Sequence, residues 1–107
     1  MEILLVFTNL PDRAAALDLA AAMIERHLAA CVNVLGAATS VYRWQGKVET
    51  ATEFPVLMKT TAAAYPALER AIRELHPYEL PEILAVPLRT GLSDFFQWVE
   101  AETQPDT

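Results

Sequence analysis

Ser40-Val41-Tyr42-Arg43-Trp44-Gln45-Gly46-Lys47-Val48-Glu49 is the stretch that decides the architecture. β-Branched and aromatic residues flank Gln45-Gly46, and Gly46 supplies the positive φ that a two-residue reversal needs. Ser40 to Glu53 therefore reads as a hairpin. Its register sets Trp44 against Lys47, Arg43 against Val48, Tyr42 against Glu49 and Val41 against Thr50. Both faces of the ribbon then carry large side chains of mixed character. A two-stranded ribbon is marginal alone in water, so this one needs a surface to pack on, and the expected surface is another copy of the chain.

Upstream of the hairpin, Ala29 to Leu35 turns to strand character through Cys31-Val32-Asn33-Val34. A bend at Gly36 makes this a long or broken second strand. Downstream, Phe54-Pro55-Val56-Leu57-Met58-Lys59-Thr60 is a third strand. Pro55 cannot donate a ladder bond, so an edge, a bulge or an interruption is expected there. Ile3 to Thr8 is a continuous apolar run, the pattern of a strand buried on both faces. Asn9-Leu10-Pro11-Asp12 marks a helix start, with Leu17, Ala20 or Ala21, Ile24 and Leu28 as the inward stripe. Ala62 to Leu75 reads as a second helix through Tyr65, Leu68, Ile72 and Leu75, with Glu69/Arg73 and Arg70/Glu74 as i,i+4 pairs; Pro66 fits only its first turn. Pro77 and Pro81 hold the next segment extended. Ile83 to Leu88 is a fourth strand, and Ser93 caps a short helix rich in aromatic residues.

Strand, helix, strand, strand, helix, strand is the order of an α+β, ferredoxin-like sheet, here with an extra C-terminal helix. One domain spans residues 1–103, and 104–107 form a short flexible tail. Two helices cover only one face of such a sheet. The other face must be closed by the third helix, by neighbouring subunits, or by both, and a homotrimer is the simplest ring consistent with a projecting hairpin.

The chain has 107 residues, 53% of them hydrophobic, enough for one core. Its net charge of −6, from 14 acidic and eight basic residues, argues against nucleic acid and anionic membrane as partners. The apolar run from Ile3 to Phe7 is too short for a signal sequence, and no stretch approaches a membrane span. The single cysteine, Cys31, excludes an intrachain disulfide. A cytoplasmic location is expected.

His76, Glu79 and Glu82 form the one cluster of potential metal ligands. Imidazole with carboxylates suits Cu(II) or another divalent cation. His76 reads equally as the cap of a helix C-terminus, and the two glutamates as a solvated edge. Cys31 is either a small buried hydrophobe or a sulfur ligand. Lys59 can pair with Glu82, hold a small anion, or end a strand in solvent. Tyr42 and Trp44 can line a cleft or pack at a subunit interface. There is no Gly-rich phosphate loop, Cys-x-x-Cys pair, zinc-protease helix or nucleophile elbow, so neither an enzyme nor an organic cofactor is expected.

Leu28-Ala29-Ala30-Cys31-Val32-Asn33, the hairpin, Lys59-Thr60-Thr61 and His76-Pro77-Tyr78-Glu79-Leu80-Pro81-Glu82 together resemble the CutA divalent-cation tolerance family. The resemblance implies a tight cytoplasmic homotrimer linked to tolerance of copper and other divalent metals, similar in architecture to the PII signalling trimers. It carries the family's cleft positions onto Cys31, Tyr42, Trp44, Lys59, His76, Tyr78 and Glu82. Copper-ligand proposals in the family also draw on a cysteine ending the first strand and a histidine before His-Pro-Tyr. Phe7 and Leu75 stand there in this chain, so of that set only His76 is present, and Glu79 is a substitute by its chemistry. Three readings follow: a metal-tolerance trimer, a PII-like trimer holding a small anion near Lys59, and a scaffold for other proteins.

Overall fold

The computed structural model describes residues 1–104, so the part of the expected tail from Pro105 onward lies outside the described residues. Eight elements follow in order: β1 (Ile3–Leu10), α1 (Arg13–Glu25), β2 (Cys31–Val34), β3 (Ala38–Trp44), β4 (Lys47–Thr61), α2 (Tyr65–Leu75), β5 (Leu84–Leu88) and α3 (Ser93–Glu102). The strands make an antiparallel sheet ordered β2-β4-β1-β5, and β3 continues along β4 beyond β2. This is the ferredoxin-like arrangement, with the expected second strand split into β2 and β3.

Gln45 and Gly46 both have positive φ, 51° and 81°, the signature of a tight turn whose twist matches the strands it joins. The register is the one the turn dictates: Trp44 opposite Lys47, Arg43 opposite Val48, Tyr42 opposite Glu49 and Val41 opposite Thr50. β4 runs unbroken through Pro55, contrary to the expected interruption. The reason lies across the ladder. Leu35 N donates to Pro55 O at 2.9 Å. In a strand the N–H and C=O of one residue point to the same side, so the missing N–H of Pro55 faces the gap between β2 and β3.

The core sits between one sheet face and the two longer helices. Leu4, Val6 and Leu10 of β1, Val56 and Met58 of β4, Leu19 and Met23 of α1, and Leu68 and Ile72 of α2 are buried together. α1 departs from expectation in two ways. It starts later, with Asp12 as N-cap accepting from Ala15 N at 2.8 Å, because β1 extends to Leu10. Its buried stripe is Ala16, Leu19 and Met23, leaving Leu17 and Ile24 exposed. With six alanines, α1 is apolar on several sides, and periodicity alone does not choose the inward one. α2 begins at Tyr65 with Pro66 in its first turn, and Leu75 is exposed rather than inward. Glu69 accepts from Tyr65 Oη at 2.8 Å. α3 starts at Ser93 with Leu92 in the cap position, so Ser93 is its first helical residue rather than its cap.

The opposite sheet face is covered unevenly. α3 packs on β1 and β4, and Ile3 and Val99 are buried outside the main core. Further along, Leu5 and Phe7 of β1 are only half-buried, against the expectation of a strand buried on both sides. Beside them Leu84 and Val86 of β5 are 57% and 51% exposed, and Trp98 of α3 is 43% exposed.

Candidate functional site

Parity in the hairpin register puts Ser40, Tyr42 and Trp44 on one face of the ribbon with Ala51 and Glu53. The segment after α2 crosses toward that face. Pro77 lacks the N–H to prolong the helix, and His76 takes extended backbone while its N–H still bonds Ile72 O at 2.8 Å. Ribbon and segment enclose an open cavity of about 700 Å³. Tyr42, Trp44 and Tyr78 supply aromatic walls; Glu53, Glu79 and Glu82 supply carboxylates. Asn9, Ser40, Val41, Pro77 and Leu80 complete the lining.

His76 anchors the segment. Its ring is buried, with Nε2 2.6 Å from Asn9 O and Nδ1 3.1 Å from Tyr78 N. A carbonyl only accepts and a backbone amide only donates, so Nε2 carries the hydrogen and Nδ1 accepts. Both nitrogens are thereby engaged. The ring also lies against Tyr78, centroids 4.8 Å apart at 52°. Of the two uses expected for His76, the C-cap position is occupied. Glu79 is exposed, and among the described residues no group of three or more His, Cys, Asp or Glu converges as a metal site.

Tyr78 Oη donates to Glu53 Oε2 at 3.0 Å, across 25 residues of sequence. Burial, then the hydrogen bond to Glu53 and the charges of Glu53, Tyr42 and Asp12, push the phenol up to about 12. Glu53 itself is only 8% exposed. Asn9 Oδ1, beside it, is buried without a hydrogen-bond partner among the described residues.

The expected cleft residues separate into two groups. Tyr42, Trp44, Tyr78 and Glu82 share the cavity with Glu79. Cys31 and Lys59 face each other in the β2–β4 ladder. Lys59 Nζ donates to Asn33 Oδ1 and lies 3.9 Å from Cys31 Sγ, with Asn33 rather than Glu82 as its partner. Lys59 lies six positions along β4 from Glu53, about 20 Å of strand. Glu53 and Asn9 are the site residues that sequence reasoning missed. Parity was the available signal for Glu53, since Ala38 opposite Glu53 follows from Tyr42 opposite Glu49.

Residues 4–102 match the family model described as CutA1 divalent ion tolerance protein. Over 98 residues the chain is 41% identical to the divalent-cation tolerance protein CutA of Thermus thermophilus, covering 92% of this chain and 95% of that protein. The crystal structure of CutA from Xylella fastidiosa superposes with a TM-score of 0.94 at 38% identity, over 97% of this chain and 100% of that one. A CutA from Archaeoglobus fulgidus, described as periplasmic, superposes with a TM-score of 0.92 at 30% identity, over 95% and 99% of the two chains.

Proposed function

The chain belongs to the CutA1 divalent ion tolerance family, and from that premise we propose that it is a cytoplasmic homotrimer acting in tolerance of divalent metal ions, without enzymatic activity. The observation that carries the assembly is the open sheet face. Leu84, Val86 and Trp98 lie exposed beside half-buried Leu5 and Phe7. A monomer gains nothing from leaving such a surface in water, whereas closing it against copies of itself removes it. Within the described residues no helix is long and apolar enough to cross a membrane.

In this reading Cu(II) or a related cation binds weakly, with Glu79 and His76 as ligands. His76 must first release Asn9 O or the Tyr78 amide. Metal binding therefore competes with the contacts that hold the 77–82 segment, which favours low affinity. Calorimetric titration of Cu(II) tests this. Binding weaker than about 1 μM, abolished in His76→Ala with the oligomer intact, is the expected result. Affinity retained in that variant would remove His76 from the site.

One observation favours a second reading, a small anion held in a PII-like manner. Lys59 sits on the open face, paired with Cys31 and Asn33 and, among the described residues, with no carboxylate within bonding reach. Thermal stabilisation by inorganic phosphate, lost in Lys59→Ala, would support it; no shift with phosphate would count against it. A scaffold role for partner proteins is the remaining alternative.

A further inference from the structure

The cavity between ribbon and segment has a chemistry that suits an organic cation better than a tightly held metal ion or an anion. Its walls carry three aromatic rings, Tyr42, Trp44 and Tyr78, and three carboxylates, Glu53, Glu79 and Glu82. Among the described residues no Lys, Arg or His side chain lines it, so the chain offers an anion no opposite charge there. A divalent ion needs several oxygens converging on one point, and these carboxylates do not converge. They stand instead at two depths. Glu53 is buried with one oxygen taken by Tyr78, and Glu79 and Glu82 are exposed at the rim. The aromatic residues share the lining with them, and aromatic quadrupoles attract cations while the ring surfaces accept methylene groups. The Tyr78 phenol is kept protonated by its burial first and then by the Glu53 carboxylate that accepts its hydrogen bond.

We propose that this cavity binds an elongated organic ammonium ion, an aliphatic diamine or polyamine. One ammonium donates to Glu53 at the floor, the methylene chain lies along Tyr42, Trp44 and Tyr78, and a second ammonium sits between Glu79 and Glu82. An ammonium supplies the N–H donors that an acceptor-rich floor lacks. A cavity of about 700 Å³ is within the usual size range for small-molecule sites.

The test is calorimetry on the full chain in its native assembly, in buffer stripped of metal by chelating resin, so that divalent-metal binding cannot imitate the signal. The probes are spermidine, 1,5-diaminopentane, n-pentylamine and 1,5-pentanediol. Saturable binding is expected for the amines, with the diamine about three- to fivefold tighter than the monoamine because the rim carboxylates are solvated, and none for the neutral diol. The double variant Glu79→Gln/Glu82→Gln changes only exposed side chains and is expected to erase the advantage of diamine over monoamine. Glu53→Gln is expected to weaken both. The proposal is overturned if the diol binds as well as the diamine, if no amine saturates below about 10 mM, or if the rim double variant keeps the diamine preference. A separate Zn(II) titration reads the metal hypothesis independently of these results.

Discussion

The two faces of the sheet differ in how completely one chain covers them. On the face beneath α1 and α2, Val6, Val56, Met58, Leu68 and Ile72 have no exposure. On the other, α3 shields Ile3 and leaves Leu84, Val86 and Trp98 open to water. The first face is therefore where the single chain obtains its stability. The second is the surface that the proposed assembly covers.

This contrast is sharpest under truncation in the closed face. Ile72→Ala should cost about 2–5 kcal/mol, because the residue is wholly enclosed and its neighbours are held by two helices and the sheet. Chemical denaturation of the variant measures it, and a loss below about 1 kcal/mol would mean the face is less tightly packed than described. A smaller effect is expected where α3 meets its preceding loop. A Cβ at Gly91 would stand 2.6 Å from the Phe96 ring, so Gly91→Ala forces that ring to move. The expected cost is about 1–3 kcal/mol, read as a lowered Tm, and an unchanged Tm would show that Phe96 relaxes freely.

Alkaline pH gives the smallest of these effects and probes the site itself. Tyr78 is raised to about 12 by burial and by Glu53, and Tyr65 to about 12 by burial and by Glu69. Below pH 10 both phenols are protonated in the folded and unfolded chains, and their contribution is complete. Between pH 10 and about 12 the unfolded chain loses protons that the folded chain keeps, so stability falls as pH rises. Tyr78→Phe should remove its share of that fall and make the alkaline limb shallower. An unaltered limb would separate Tyr78 from the effect.

The same contrast explains what could be read from the sequence. The ribbon was legible down to its register, because Gly46 fixes the turn and the turn fixes every pair beyond it. The α1 stripe was not legible. Its alanines satisfy several helical faces equally, and only docking on the sheet selects Ala16, Leu19 and Met23 over Leu17 and Ile24. In the site, Tyr42, Trp44, Tyr78, Glu79 and Glu82 line one cavity, whereas Cys31 and Lys59 lie on the β2–β4 ladder. The Glu53–Tyr78 bond that joins ribbon to segment lies across 25 residues and had no local signal. His76 was legible as a helix end. That it spends its second nitrogen on Asn9, 67 residues away, depends on how the sheet brings β1 past the end of α2.

The claim that the open face is closed by copies of the chain meets its most direct test in molar mass. Light scattering on the purified protein should return three 11.8 kDa chains, about 35 kDa, and Val86→Arg, which sets a charge in the open face, should shift the mass toward a single chain. A native protein of 11.8 kDa would contradict the account. So would a trimer indifferent to a charge at Val86.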